Sequence, residues 1–282
     1  MLALVAAVGY GVSDFVGGVA SRRVAALRVV LVSYPLSLLI VLALAPFVGG
    51  TITPAGMAWG AASGLAGGVA VWWFYLALAE GPMAVVSPLT AVIVAGLPVV
   101  VGLALGERPG PVAYIGIVVA LVAVVLVSRE SPDDATAEVS ARTLRFTKKV
   151  ALLTFGSGVA FALTFVSLHQ IGDDGGLWPL ALQRAFATLV VWAVALAAHQ
   201  FAPPRGMPLR LAIYVSVLDV VANAAMMYAF HGGMLSLVSV IGALYPAATV
   251  LLAMVMLGER VGRSQQAGML LALAAVAMIS VA

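Results

Sequence analysis

The chain contains no cysteine and only 11 acidic and 14 basic residues among 282. Without thiols it can form no disulfide and no thiolate metal site, and its composition carries no mark of a redox compartment. Charged residues make up 9% of it, where an average soluble domain has about 25%. Together with 63% hydrophobic residues and a mean hydropathy of +1.15, this scarcity excludes water as the solvent of most of the surface. Histidine is also rare: His169, His199 and His231 are scattered, no HExxH is present, and no metal cofactor is implied. GVSDF at Gly11 to Phe15 begins like a nucleophile elbow but lacks its final glycine. The glycine-rich pieces lack the lysine of a phosphate-binding loop, so nucleotide hydrolysis has no support. An enzyme reading therefore finds no catalytic set, and no cofactor is expected.

What fills the chain instead is ten apolar stretches, near 2–20, 29–48, 55–79, 83–105, 110–127, 150–168, 177–198, 209–230, 234–257 and 264–281. A bilayer core of roughly 30 Å needs about 20 apolar residues per helix, whereas barrel strands would give alternating segments of about ten. The fold class is therefore all-α: a polytopic membrane protein with ten transmembrane helices. Met1 leads straight into Leu2 with no basic region before it, so the first stretch reads as a retained helix rather than a signal peptide.

The polar segment Ser128 to Lys149 divides the ten stretches five and five. Residues 1–128 and 150–282 then form two repeats, joined by a linker at 129–149. Gly81 to Arg108 (GPMAVVSPLTAVIVAGLPVVVGLALGER) and Gly233 to Arg260 (GMLSLVSVIGALYPAATVLLAMVMLGER) echo each other and close on nearly the same four residues. An odd number of spans per repeat makes the second enter from the opposite side, as in many secondary transporters. Loop charge agrees: Arg22, Arg23 and Arg28 follow the first span, while Asp173 and Asp174 follow the sixth. Twelve basic residues fall on the linker side against Arg108 alone on the other. By the positive-inside rule both termini lie outside, and the net charge of +3 with a pI near 9.4 reflects topology rather than nucleic-acid binding.

Ionisable residues inside spans cost about 2.5–3.5 kcal/mol each on insertion scales and tend to face a bundle interior or a wet cavity. At lipid depth, away from span ends, the charged ones are Asp14, Arg184 and Asp219. Ser216, Asp219 and Asn223 share one helical face. Depth along the spans places Arg184 within reach of Asp219 or Asn223 more readily than of Asp14. Arg184 and Asp219 then either neutralise each other as a buried pair or serve substrate and coupling. Asp14 has no basic partner at its depth, which suits a proton carrier; the plainer alternative is a carboxyl solvated by a wet cavity or bonded to Ser13 or Tyr10. Of the aromatics inside spans, Tyr10, Tyr34, Trp72, Tyr75, Tyr228 and Tyr245 could wall a site for an apolar or cationic ligand or simply pack, with Trp73 a lipid-facing anchor. Gly60, Gly64 and Gly68 read as a close-packing stripe, and Pro88, Pro98 and Pro246 as bends. Glu107 and Glu259 each open a loop before another helix, whose N–H groups they are expected to accept.

YGVSDF in the first span, Arg184 early in the seventh, and Gly106-Glu107 and Gly258-Glu259 between the fourth and fifth spans of each repeat resemble the EamA family of the drug/metabolite transporter superfamily. The resemblance covers the whole chain. It implies a central cavity lined by the first four helices of each repeat, alternating access, both termini cytoplasmic, and export of amino acids, other metabolites or toxic compounds. Tyr34 stands where a second arginine would match Arg184, so a two-arginine anion site is not implied. The expected partners are the lipid bilayer and a small-molecule substrate, with proton coupling through Asp14 or Asp219; oligomeric state is not legible. The rival readings are a lipophilic-cation efflux carrier and, from another class, a non-transporting membrane receptor or assembly subunit.

Overall fold

A backbone inside hydrocarbon must satisfy its own N–H and C=O groups, and the chain does so with helices wherever the apolar stretches run. The computed structural model describes residues 1–128, 146–258 and 262–281. In chain order the helices are α1 Leu2–Ser21, α2 Ala26–Val48, α3 Pro54–Glu80, α4 Met83–Ala104, α5 Pro111–Val127, α6 Lys148–His169, α7 Trp178–Ala197, α8 Met207–Phe230, α9 Leu235–Gly242, α10 Tyr245–Leu257 and α11 Arg263–Ser280. A 3-10 turn at Asp173–Gly175 precedes α7. Among the described residues no strand occurs. Most of the linker, and Glu259, lie outside the described residues.

Local signals set the boundaries. The Thr53 hydroxyl accepts the Gly56 N–H at 3.2 Å, with Pro54 as the first residue of α3. Thr147 accepts the Val150 N–H at the start of α6. Gly258 ends α10 in the left-handed region, φ 67°. Pro88 and Pro98 leave α4 one continuous helix.

The ninth stretch departs from expectation. It is two helices, α9 and α10, parted at Ala243 and Leu244. Pro246 has no N–H for the Gly242 carbonyl, and the chain instead makes tight bonds, Leu244 N–H to Ile241 C=O at 3.1 Å and Ala247 N–H to Leu244 C=O at 3.0 Å. Eight spans, α9 and α10 together counting as one, are long and apolar enough to cross a bilayer. Helix α5 is apolar but has 17 residues, and α11 has 18 and opens on Arg263, Gln265 and Gln266.

The repeats do not pack as separate bundles. Helix α1 lies against α8 and α10, α3 against α6 and α7, and α4 against α6 and α9, while α2 meets α7 and α8 and α5 meets α11. Exchanging the repeats maps this set onto itself, with α2·α7, α4·α9 and α5·α11 as the self-matching pairs. Loop contacts give the sense of the symmetry. The α2–α3 loop meets the α6–α7 loop, where the Thr51 N–H donates to the Asp174 carbonyl at 2.7 Å. The linker end meets the α3–α4 corner through Lys149 and Glu80 at 2.6 Å. Each contact joins an even loop of one repeat to an odd loop of the other, as oppositely inserted repeats require. The fold is all-α, two inverted five-span repeats.

The glycine stripe of α3 is the closest seam. A Cβ at Gly60 would meet the Pro179 carbonyl, one at Gly64 the Gln183 carbonyl, and one at Gly68 the Val190 side chain. Backbone contact with α7 is possible only because these side chains are absent. Beside the stripe, Gln183 Nε2 donates to Ser63 Oγ at 2.8 Å and Ser63 donates to the Thr164 carbonyl at 3.1 Å, tying α7, α3 and α6 together.

Candidate functional site

Helix α1 is held by two glycines on opposite flanks. Gly9 lies against Ala222 of α8, and Gly11 against Tyr245, Ala248 and Thr249 of α10, where Thr249 Oγ1 donates to the Gly11 carbonyl at 3.0 Å. The face between the flanks carries Tyr10, Asp14 one turn later, and Gly17. That face points into the bundle.

Across from it stands a polar network built from three helices. Arg184 Nη1 donates to Asp219 Oδ2 at 2.7 Å and Nη2 to Asn223 Oδ1 at 3.1 Å. Asn223 Nδ2 returns to Asp219 Oδ1 at 3.0 Å and to the Asp219 carbonyl at 2.8 Å. The Tyr10 hydroxyl donates to the same Asn223 Oδ1 at 3.0 Å, and the Arg184 guanidinium lies 5.2 Å from the centre of the Tyr34 ring. Asn223 joins all of these because its amide can accept and donate at once. The Arg184 and Asp219 side chains are 7% and 14% exposed. Arg184 Nε has no partner among the described residues, but it is sealed from solvent. The guanidinium is thus closed on its edge by Asp219 and Asn223 and on its face by Tyr34.

Asp14 differs. It lies within electrostatic range of Asp219, Tyr10, Tyr34, Tyr75 and Tyr245, and among the described residues it forms no hydrogen bond or ion pair. Its expected alternative partner Tyr10 is engaged with Asn223. Asp14 is solvent-exposed although it points inward, so the space before it admits water. A Cβ at Gly17, one turn toward the linker side, would meet a single atom, Val215 Cγ2 at 3.9 Å. Side-chain space is left there.

Loop contacts between the repeats gather on the terminal side. Gly50 and Gly176, with φ of 107° and 53°, press backbone to backbone with no room for a Cβ on either. Thr51 bonds to Asp174, and His231 Nδ1 lies 3.7 Å from Asp173 Oδ1. Glu107 joins these contacts in a way the sequence did not suggest. Its carboxylate accepts the N–H groups of Leu235 and of Ser236, the latter at 3.0 Å, capping α9 of the other repeat rather than the next helix α5.

The remaining candidates lie apart from the network. Ser216 is buried on the face of Asp219, but its hydroxyl donates to the Ile213 carbonyl at 2.6 Å and its own carbonyl accepts from Ser37 of α2 at 3.1 Å. Tyr75 reaches the chamber; Trp72 is 40% exposed and forms no ring pair among the described residues. Trp73 covers Gly156 of α6 and lines an outward groove of about 380 Å³ with Leu65, Val69, Phe155, Val159 and Leu163. That groove is apolar and separate from the chamber. Tyr34 and Tyr245 also lie near Asp14; the sequence marks them only as members of the wider set of aromatics inside spans.

The sequence profile described as "EamA-like transporter family" matches residues 1–129 and 148–281. The chain belongs to the EamA-like transporter family. A solved structure titled only "Crystal structure of protein" is similar over 98% of this chain and 96% of its own, with a TM-score of 0.73 and 16% identity. At that identity the likeness speaks to fold. No curated protein matches the chain. As an EamA-like protein it is a multi-pass membrane protein of a transporter family, and the Arg184–Asp219–Asn223 network lies where its two inverted repeats meet.

Proposed function

We propose that this EamA-like protein is a secondary carrier of small organic solutes in the cell membrane, working by alternating access and without an enzymatic step. One observation supports the reading: Asp14 on the inner face of α1 is exposed and has open space at Gly17 one turn toward the linker side, while loop contacts between oppositely inserted repeats gather on the terminal side. Exchange of the two repeats' roles would close the first side and open the second. By family the candidate solutes are amino acids, other metabolites and lipophilic cations, among which the charges at the site must choose. Asp14, having no counter-charge, is the group best suited to exchange a proton with the solute. The twelve basic loop residues on the linker side, against Arg108 on the other, support a cytoplasmic linker side with both termini outside.

The chain's lack of cysteine makes the test direct. A Thr51→Cys/Asp174→Cys variant, oxidised in proteoliposomes, is expected to lose solute flux and to regain it on reduction. Unchanged flux in the fully cross-linked protein would remove alternating access and leave a receptor or assembly role. Labelling of the same reduced variant by an impermeant maleimide in intact cells is expected only if the terminal side is external.

A further inference from the structure

Among the described residues, the cation that borders Asp14's surroundings, Arg184, is already engaged, and the carboxylate of Asp14 is not. Arg184 has its two terminal nitrogens on Asp219 and Asn223, its face on Tyr34, and its Nε shut away from solvent. A carboxylate entering the chamber would find no accessible cation. It would meet Asp14 and Asp219 instead. Asp219 is balanced by Arg184 at 2.7 Å, so the wet space before Asp14 has a net excess of one negative charge when that carboxyl is ionised. Tyr10, Tyr34, Tyr75 and Tyr245 lie within electrostatic range of Asp14, Tyr10 and Tyr245 meeting edge to face at 6.4 Å and Tyr34 already giving one ring face to Arg184. Aromatic faces attract cations and offer apolar area to the rest of the ligand.

We infer that the chamber selects organic monocations, amines or quaternary ammonium compounds with an aromatic or apolar body, which dock their charge on Asp14, and that it rejects carboxylates, simple amino acids included. This rests on the chamber reading above and narrows it. Arg184 acts here as a positioning residue: by neutralising Asp219 it leaves Asp14 as the single docking charge, and through Asn223 it holds the Tyr10 ring beside that charge.

The test is equilibrium binding to the purified full-length protein in nanodiscs, with benzyltrimethylammonium, its uncharged tert-butyl isostere, and phenylpropionate as probes. The cation is expected to bind at least about ten-fold more tightly than the isostere, with phenylpropionate not binding, since a desolvated cation beside a carboxylate and aromatic faces gains more than either contact in water. Asp14→Asn should lower cation affinity by about ten-fold or more and leave the isostere unchanged, while Asp14→Glu retains the preference for charge. Equal binding of cation and isostere by the unaltered protein overturns the inference, whether or not the variants fold. So does phenylpropionate binding, or an Asp14→Asn variant that folds and binds the cation as before. Binding is measured without flux, so the two readings fail separately. Asp14-dependent binding with cross-link-insensitive flux sinks the carrier alone, and cross-link-sensitive flux of another solute without cation binding sinks the cation site alone.

Discussion

Replacing Arg184 by methionine would strand Asp219 inside the bundle with one amide contact, Asn223 Nδ2 at 3.0 Å, and no counter-charge. Breaking a buried pair by removing one partner costs about 3–5 kcal/mol, because the remaining charge has lost both water and its neutraliser. The 14% exposure of the Asp219 side chain favours the lower end of that range. Asp219→Leu alone strands the guanidinium, which keeps Asn223 Oδ1 at 3.1 Å and the Tyr34 face, and should cost a similar amount. The double variant has no charge left to strand. Substituting both members by apolar residues of similar size is commonly neutral or stabilising by about 1–4 kcal/mol. The cycle therefore has a large expected coupling, about 6 kcal/mol, the sum of two single costs near 3 kcal/mol that the neutral double variant does not show, with the double variant more stable than either single one. Equilibrium unfolding in mixed micelles, followed by tryptophan fluorescence, measures all four corners. A coupling below about 1 kcal/mol, the value of exposed pairs, would refute the reasoning. It would mean that chamber water solvates each group and that Arg184 is free to meet a ligand.

Two further outcomes concern the seams. Gly64→Val is expected to destabilise the bundle by about 1–3 kcal/mol or prevent assembly, because its Cβ meets the Gln183 carbonyl. Gly18→Ala, with nothing within 4 Å of its Cβ, should leave the unfolding midpoint unchanged or raise it; equal effects at both sites would mean that α3 does not pack on α7 as described. Glu107→Gln is expected to speed hydrogen exchange at the Leu235 and Ser236 amides by weakening a helix cap worth about 0.5–2 kcal/mol. Unchanged exchange there, with faster exchange at the start of α5, would return Glu107 to a local role.

The chain's own pattern determined the helical class, the near boundaries of the helices and the opposite sense of the two repeats. Each follows from one-dimensional quantities: run length against bilayer thickness, and the placement of charge between runs. Even the pairing of Arg184 with Asp219 and Asn223 was legible, because depth in a helix is proportional to residue number. The break in the ninth span was only hinted at by Pro246, since proline can bend a helix or end it, and α4 passes through two prolines unbroken. Lateral arrangement was not legible at all. That Glu107 caps a helix 128 positions away, that Tyr34 takes up the face of Arg184, and that Trp72 and Ser216 stand outside the network depend on which helices are neighbours. Periodicity gives each helix a polar face but no azimuth relative to its partners. Only the packing of the repeats through one another, set by glycine seams such as Gly9, Gly11 and Gly64, turned those faces toward a common chamber.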